Sequence, residues 1–160
     1  MTYVSKWIIR WEIHDAAAKF ATGKVESEIF EEGGFKWTIT AVEDSYDLTE
    51  FIVECHAGHN GQWKCDTEIN LRQCRPDGPA EEVFANCDIR ASFTEKSTIV
   101  GDEPFWEWSG ITSPLWTSNG KVVFELTINV LSFDRGRADA AQFAAPNRRS
   151  DVILKIGEEK

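Results

Sequence analysis

Two segments of the chain place apolar side chains at every second position. In the first, KWIIRWEIH, the apolar set is Trp7, Ile9, Trp11 and Ile13. In the second, KVVFELTINV, it is Val122, Phe124, Leu126, Ile128 and Val130. Successive side chains of a β-strand point to opposite faces, so a period of two is typical of a strand with one buried face. The pattern therefore predicts a chain built mainly from half-buried strands.

Five further segments between these two have the composition of strands: 25–30, 35–42, 49–56, 62–71 and 83–93. Turn-forming groups such as Gly33-Gly34, RPDGP and Ser118-Asn119-Gly120 separate them. Short strands at near-regular spacing, with little helical pattern before residue 134, indicate an all-β antiparallel sandwich or barrel. The alanines of HDAAAKFATG are compatible with one helical turn or with a loop.

The balance of charge excludes several classes of partner. Acidic residues outnumber basic ones 27 to 17, and the net charge is -10. Affinity for nucleic acid rests largely on Lys and Arg, so a nucleic-acid partner is not expected. No stretch reaches the roughly 20 apolar residues that span a bilayer, and the N-terminal segment does not resemble a signal peptide. We expect a cytoplasmic or nuclear chain with no membrane partner.

The cysteines and histidines do not form a metal-binding pattern. The cysteines are Cys55, Cys65, Cys74 and Cys87, with no CxxC pair, and the histidines are His14, His56 and His59. Neither set has the spacing of a zinc site, so no metal and no cofactor is expected. The thiols are predicted to be reduced and to pack as small apolar side chains. The glycines of CHAGHNG favour a loop around the histidine pair.

Catalytic motifs are also missing from the sequence. A glycosidase needs two carboxylates on one face, and pairs such as Glu12 with Glu28, or Glu103 with Glu107, exist among 27 acidic residues by chance alone. There is no GxSxG and no phosphate-binding glycine loop. We therefore expect a protein that is not an enzyme.

The segment GDEPFWEWSGITSPLW is rich in aromatic residues but does not alternate. It contains Phe105, Trp106, Trp108 and Trp116. Large aromatic side chains are most often buried in the core. Because Phe105 and Trp106 are consecutive, they would point to opposite faces of a strand, and exposed aromatics beside charges often mark a binding surface. The segment is therefore compatible both with burial in the core and with a role in binding a partner.

Together these segments resemble a MATH (meprin and TRAF homology) domain. The resemblance is carried by WIIRWEIHD, ESEIFEEGGFKWTITA, TEFIVECHAG, the strand at Trp63 and GKVVFELTINVLSF, and it spans about residues 6–133. The tail RRSDVILKIGEEK looks like the first strand of a BTB (POZ) domain, which follows a MATH domain in many proteins. The combination resembles the MATH-BTB adaptor family, and in particular its divergent nematode members. We assign residues 1–133 to a MATH domain, 134–149 to a linker and 150–160 to the first strand of an incomplete BTB domain.

The resemblance implies an eight-stranded antiparallel β-sandwich that binds short peptide segments of partner proteins in a shallow groove. In MATH-BTB proteins the BTB domain dimerises and recruits a cullin-type scaffold, so that the protein acts as a substrate adaptor for ubiquitin ligation. Only a complete BTB domain would recruit the cullin. We therefore expect this chain to be monomeric, the full-length form to be a homodimer, and the function of the chain to be substrate recognition.

The resemblance also implies which residues line the groove. In the strand FIVEC, the alternation predicts that Glu54 points outward from a buried set. By the same alternation Thr67 and Ser92 are predicted to point outward and to be peptide-binding candidates. The remaining candidates are Phe105, Trp106 and Glu107. Relatives often carry aromatic residues where this chain has Glu54 and Glu107. We therefore expect an acidic groove that prefers peptides with a basic residue over serine- and threonine-rich peptides.

An alternative function is carbohydrate binding. In that case Trp106, Trp108 and Trp116 would lie coplanar on an open surface and stack on sugar rings. A peptide binder would instead have a groove along a sheet near Glu54 and Trp106.

Overall fold

The computed structural model of the chain describes residues 2–78, 83–101 and 106–136, with side chains at all of these positions except 83–87 and 106. Within these residues it has ten strands and two short helices. In chain order they are β1 (Ser5–Ile13), α1 (Ala16–Phe20), β2 (Lys24–Glu26), β3 (Phe30–Glu32), β4 (Phe35–Glu43), β5 (Leu48–His56), β6 (Lys64–Cys74), β7 (Val83–Thr94), β8 (Ile99–Gly101), β9 (Trp106–Glu107), α2 (Trp108–Ile111) and β10 (Val122–Asp134).

The strands form two antiparallel sheets. Sheet A has the order β1-β10-β6-β7, and sheet B has the order β2-β4-β5-β8. In sheet B, β3 also pairs with β4 and β9 also pairs with β5. Because β2 and β3 share one edge of β4, and β8 and β9 share one edge of β5, the ten strands fill eight positions. The predicted eight-stranded all-β sandwich is confirmed.

The period-two pattern packs one face of each sheet into a common core. Ile9, Trp11 and Ile13 of β1 are buried, as are all five alternating apolar residues of β10. Edge-to-face ring pairs join the two sheets: the Trp37 and Phe93 centroids are 5.5 Å apart, and those of Phe51 and Phe124 are 5.2 Å apart. Truncation of such a ring to Ala typically costs about 3–5 kcal/mol.

The strand predicted over 25–30 is split into β2 and β3. The cause is Ser27, which follows β2. Its N–H donates to the Ile39 carbonyl at 2.9 Å, and its hydroxyl accepts the Ile39 N–H at 2.9 Å. A side chain thus replaces a backbone partner at this point, and the ladder is interrupted.

Both helices are single turns that cover one end of the core. The alanine-rich segment does form α1, with Ala16 and Phe20 buried. Helix α2 was not predicted, and it begins at Trp108, whose indole N–H donates to the Phe20 carbonyl at 3.1 Å. The rings of Phe20 and Trp108 lie 5.0 Å apart. This hydrogen bond and ring contact fasten the end of β9 to the rest of the sandwich.

The domain boundaries proposed from the sequence stay predictions. Strand β10 extends to Asp134, one residue into the predicted linker. The rest of the linker beyond residue 136, and the BTB-like strand at 150–160, lie outside the described residues. In the part of the chain that the structure describes, no helix has the length and apolar character needed to cross a membrane.

Candidate functional site

One edge of sheet B is formed by two very short strands and is available for pairing. Residues Ile52 to Glu54 of β5 pair with β8, and Leu48 and Thr49 pair with β9. Within the described residues, no strand pairs with the outer side of β8 or β9. We call this the β8–β9 edge. An unpaired edge presents backbone N–H and C=O groups to solvent, where another strand can pair with them.

Three carboxylates follow the β8–β9 edge on the outer face of sheet B. Glu54 lies across from Ile99 of β8, and Glu107 of β9 lies across from Leu48 of β5. Glu50 lies between them, and its Oε2 atom would be 3.1 Å from a Cβ placed on Gly101. The absence of a side chain at Gly101 therefore lets the Glu50 carboxylate lie over β8. The edge is acidic along its described length.

Glu54 contacts one polar side chain on its own strand. Its Oε2 is 2.5 Å from Nε2 of His56, two positions further along the same face of β5. The side chains of Glu54 and His56 are 37% and 50% exposed. A polar contact this open to water contributes little to stability, so the Glu54 carboxylate remains accessible to a ligand.

The β4–β5 turn holds the end of the β8–β9 edge in place through Asp47. The Asp47 carbonyl accepts the Trp108 N–H at 2.7 Å. Its carboxylate accepts the Ser109 N–H at 3.1 Å and the Ser109 hydroxyl at 2.7 Å. Asp47 adopts φ 61°, a left-handed conformation that Asp tolerates better than most residues. These bonds fix the start of α2, and with it the preceding strand β9.

A cleft of about 570 Å³ opens at the other end of the edge, where β8 begins. It is lined by the 56–60 segment, Trp63, Glu95 and Thr98. We call it the Trp63 cleft. Thr98 immediately precedes β8, and its carbonyl accepts the Cys55 N–H at 2.9 Å. The cleft is therefore continuous with the β8–β9 edge.

The structure places three of the predicted site residues at this edge, two of them with described side chains. Glu54 points outward between the buried Val53 and Cys55, as predicted. Glu107 is exposed on β9. Trp106 is also in β9, but its side chain lies outside the described part of the chain, as does the whole of Phe105. Contact between these four residues and a peptide stays a prediction.

Two other predicted site residues lie elsewhere. The outward orientation predicted for Thr67 is wrong, because Thr67 is fully buried and its hydroxyl donates to the Ala91 carbonyl at 3.0 Å. Ser92 is exposed, but on β7 of sheet A, where its hydroxyl bonds to the Asp66 carboxylate. Ser92 therefore faces away from the core on the other sheet and does not share a face with Glu54.

Trp108 cannot belong to a flat sugar-binding surface, because its side chain is buried. That residue is 6% exposed and belongs to the core. Trp116 is half-buried, and the Arg75 guanidinium lies 5.3 Å from the centre of its ring. The predicted carbohydrate platform thus loses one of its three tryptophans, and a second is covered by a cation.

The described cysteines are buried and unpaired. Cys55, Cys65 and Cys74 are free thiols, as predicted. Burial raises the pKa of the Cys55 thiol above its ordinary value. Burial also raises the pKa of Cys65 to about 12. These thiols are therefore protonated at neutral pH and poorly nucleophilic. Within the described residues, no group of three His, Cys, Asp or Glu side chains has an arrangement that could hold a metal ion.

Sequence reasoning missed three residues at this site. Glu50 has the same parity as Glu54 on β5, and this signal could have identified it. Ile99 is 56% exposed on β8, a strand too short to show any alternation. Glu95 reaches the Trp63 cleft from the β7–β8 turn, and only the tertiary fold reveals that position.

Comparison with known proteins agrees with this architecture. A search of curated proteins finds no match to the chain. Comparison with protein families finds a match to the MATH domain over residues 17–130, which is more than half of the chain. Two antiparallel sheets packed as a sandwich are consistent with the all-β fold of this family. The chain therefore belongs to the MATH domain family, whose members are protein–protein interaction domains.

Proposed function

We propose that the chain binds an extended peptide segment of a partner protein along the β8–β9 edge. The observation that supports this proposal is the unpaired edge of sheet B, formed by strands of three and two residues. A peptide that adds a strand to such an edge gains main-chain hydrogen bonds, while its alternate side chains contact the neighbouring face. The general role of MATH domains in protein–protein binding agrees with this mode.

The same edge supports a preference for peptides with basic residues. Glu50, Glu54 and Glu107 follow the edge, and the whole chain carries a net charge of -10. Each surface ion pair contributes about 0.2–1 kcal/mol, so the charges add selectivity and speed association more than they add affinity. Affinity would come chiefly from the main-chain bonds and from contact with Ile99.

Affinity measurements on a pair of matched variants test the location of the site. Peptides would be selected with the chain from a phage-displayed random library, and their affinities measured by fluorescence anisotropy. Ile99→Arg places a bulky cation opposite Glu54 and should weaken binding about tenfold, since it removes the apolar contact at Ile99 and repels a basic peptide. Ile8→Arg is the control, because Ile8 is 49% exposed on β1 of sheet A. Equal losses in both variants would contradict the proposal.

A peptide array tests the preference for basic residues. Peptides containing Lys or Arg should bind the chain better than neutral versions of the same sequences. The double variant Glu54→Gln, Glu107→Gln should reduce that difference, whereas Glu31→Gln, an exposed position at the opposite edge of sheet B, should not. Basic peptides that bind no better than neutral ones would remove this part of the proposal.

The two aromatic candidates predicted from the sequence, Phe105 and Trp106, have a separate test. Trp106→Ala should weaken the affinity of the selected peptides, and Phe105→Ala should act in the same direction. Proteins recovered from extract with the unaltered chain should be lost with the Trp106→Ala variant. Recovery of the same proteins by both would contradict the assignment of Trp106 to the groove.

We further propose that the chain is the substrate-recognition part of a cullin-type ubiquitin ligase adaptor. The support for this is the similarity of RRSDVILKIGEEK to the start of a BTB domain. Fused to a complete BTB domain, the chain should bind a cullin scaffold and direct ubiquitin to proteins that carry the selected peptide. A fusion that binds the cullin but leaves those proteins unmodified would contradict the adaptor role.

A further inference from the structure

The Trp63 cleft lies where a peptide paired with the β8–β9 edge would continue beyond β8. Thr98 forms part of the cleft wall, and its carbonyl bonds to β5 directly before the first β8 pair. The volume of about 570 Å³ falls within the roughly 300–1,000 Å³ that is common for clefts binding small ligands. The cleft is therefore large enough for one long side chain of a peptide that leaves the edge.

The walls of the cleft are held rigidly. His59 Nδ1 accepts the Gly61 N–H at 3.0 Å, and His59 Nε2 is 2.6 Å from the Arg135 carbonyl oxygen. Because a carbonyl can only accept, Nε2 donates to it while Nδ1 accepts, so these two bonds fix the orientation of the His59 ring. Trp63 is 5% exposed, and its ring centre is 5.6 Å from that of Phe35. A ligand would therefore meet a preformed site.

The lining of the cleft combines aromatic rings with a carboxylate that has no ion-pair partner among the described residues. In the part of the chain that the structure describes, Glu95 forms no ion pair, and the side chains of Asn60 and Thr98 form no hydrogen bond. The lining contains no Lys or Arg among the described residues. His56, which also lines the cleft, is held by the Glu54 carboxylate. The described lining thus carries one carboxylate, that of Glu95, and no Lys or Arg side chain.

Three lysines lie near the cleft without lining it. Lys36 is the cross-strand neighbour of His56, and its Cε would be 3.9 Å from a Cβ on Gly58. Lys96 follows Glu95 in the β7–β8 turn and is exposed. Lys64 lines the adjoining pocket with Glu95, but its ammonium pairs with the Asp66 carboxylate at 3.1 Å. None of the three lines the cleft itself, so a cation inside it would still meet the Glu95 carboxylate directly.

We infer that the Trp63 cleft binds a Lys or Arg side chain of the partner peptide, with Glu95 as its counterion and the Trp63 and His56 rings beside it. Cations bind favourably against aromatic rings and next to carboxylates. The inference rests on the proposed binding of a peptide along the β8–β9 edge. Every described strand pair of the sandwich is antiparallel. A peptide added in the same sense would reach Ile99 last, so the basic residue lies C-terminal to the paired segment.

The chemistry of the cleft can be tested with a small probe on the whole chain. N-acetyl-arginine amide and its neutral isostere N-acetyl-citrulline amide would be titrated while the Trp63 indole N–H signal is followed by NMR, assigned with Trp63→Phe. Only the arginine probe should shift this signal saturably. Glu95→Gln should weaken that binding about fivefold, the effect of about 1 kcal/mol, and Glu31→Gln should leave it unchanged. Equal shifts with citrulline, or no effect of Glu95→Gln, would overturn the inference.

Peptides selected for edge binding separate this inference from the proposed function. A selected peptide with Arg placed C-terminal to its strand-forming segment should bind at least about threefold more tightly than one with Arg placed N-terminal, and Glu95→Gln should abolish the difference. If peptides protect the β8–β9 edge but the position of Arg makes no difference, the cleft inference fails and the proposed function stands. If the arginine probe binds but no peptide protects the edge, the proposed function fails.

The chain itself supplies one competing occupant. Arg137 follows Gly136 directly in sequence, and the Arg135 carbonyl bonds to His59 of the cleft. The test is Arg137→Gln with no probe added. If this substitution moves the Trp63 indole signal away from its position in the arginine-bound chain, the chain's own arginine occupies the site. That result would contradict binding of a partner's basic residue there. An unchanged signal supports it.

Discussion

Asp47 offers a sharp test of how the β8–β9 edge is held in position. Its carboxylate accepts two hydrogen bonds from Ser109, and its backbone adopts φ 61°. Asp47→Ala removes both side-chain bonds and also leaves a residue with a Cβ, but without the local polar contacts of Asp, in the left-handed region. Asp47→Gly removes the bonds and relieves the backbone. Asp47→Asn keeps acceptor and donor groups of nearly the same shape in place.

The three variants should differ by amounts that follow from these contacts. A hydrogen bond contributes about 0.5–1.5 kcal/mol net, and the left-handed conformation costs an ordinary residue about 1–2 kcal/mol. Because the bonds to Ser109 are exposed, the low end applies to each. We expect Asp47→Ala to lower the free energy of unfolding by about 2–3 kcal/mol, Asp47→Gly by about 1–2 kcal/mol and Asp47→Asn by less than about 1 kcal/mol.

Urea denaturation followed by tryptophan fluorescence measures these differences, and amide hydrogen exchange locates them. In Asp47→Ala, the amides of Trp106 and Glu107 should exchange faster, while those of β6 and β10 change only with the global stability. Equal stability of the Ala and Asn variants would refute the reasoning, because it would mean that neither the hydrogen bonds nor the backbone conformation of Asp47 matters. Unaltered exchange in β9 would show that the turn does not position the edge.

Three further predictions concern other parts of the sandwich. Gly33→Ala should lower the free energy of unfolding by about 3 kcal/mol, because φ is +65° and the new Cβ would lie 2.1 Å from Trp7 Cζ2. The control Gly120→Ala, where φ is +76° but no atom lies within 4 Å of the new Cβ, should cost only about 1–2 kcal/mol. Urea denaturation midpoints measure both. Burial raises the pKa of Cys65 to about 12, so its thiol should resist a maleimide at pH 8 in the native chain and react after denaturation. Peptide mapping by mass spectrometry would show this, and rapid labelling of the native chain would contradict the burial of Cys65. Burial opposes ionisation of Asp66, but hydrogen bonds to its carboxylate outweigh this effect and lower its pKa below the ordinary 3.8. The ionised carboxylate therefore stabilises the fold fully above about pH 4, and this contribution is lost as pH falls through the lowered pKa. Asp66→Asn should make the loss of stability at acid pH less steep, as urea denaturation at a series of pH values would show.

The sequence predicted the long strands because their burial follows from the local pattern. In β1 and β10, alternate apolar residues could be satisfied only by a sheet with one buried face, and the structure shows that arrangement. The same rule correctly placed Glu54 outward. Applied with care to β6, it would also have placed Thr67 inward, because Cys65, Ile69 and Leu71 set the buried parity. A polar residue at an inward position is satisfied here by a backbone carbonyl.

The rest of the site depends on contacts between residues distant in sequence. Strand β8 has three residues, which is too short for any period to be visible. Helix α2 begins where Asp47, about 60 residues earlier, accepts hydrogen bonds from its first residues. The Trp63 cleft combines the β5–β6 loop with the β7–β8 turn. Such sites are set by topology, and a single sequence carries no local signal for them.

Hydrogen exchange of the whole chain with and without a selected peptide tests the central claim most directly. If the chain binds a peptide as an added strand, amides within Ile99–Gly101 and Trp106–Glu107 should become protected. The amides of β7 in sheet A, including those of Ser92 and Arg90, should exchange at the same rate with and without the peptide. Protection confined to sheet A, with β8 and β9 unaltered, would contradict the account.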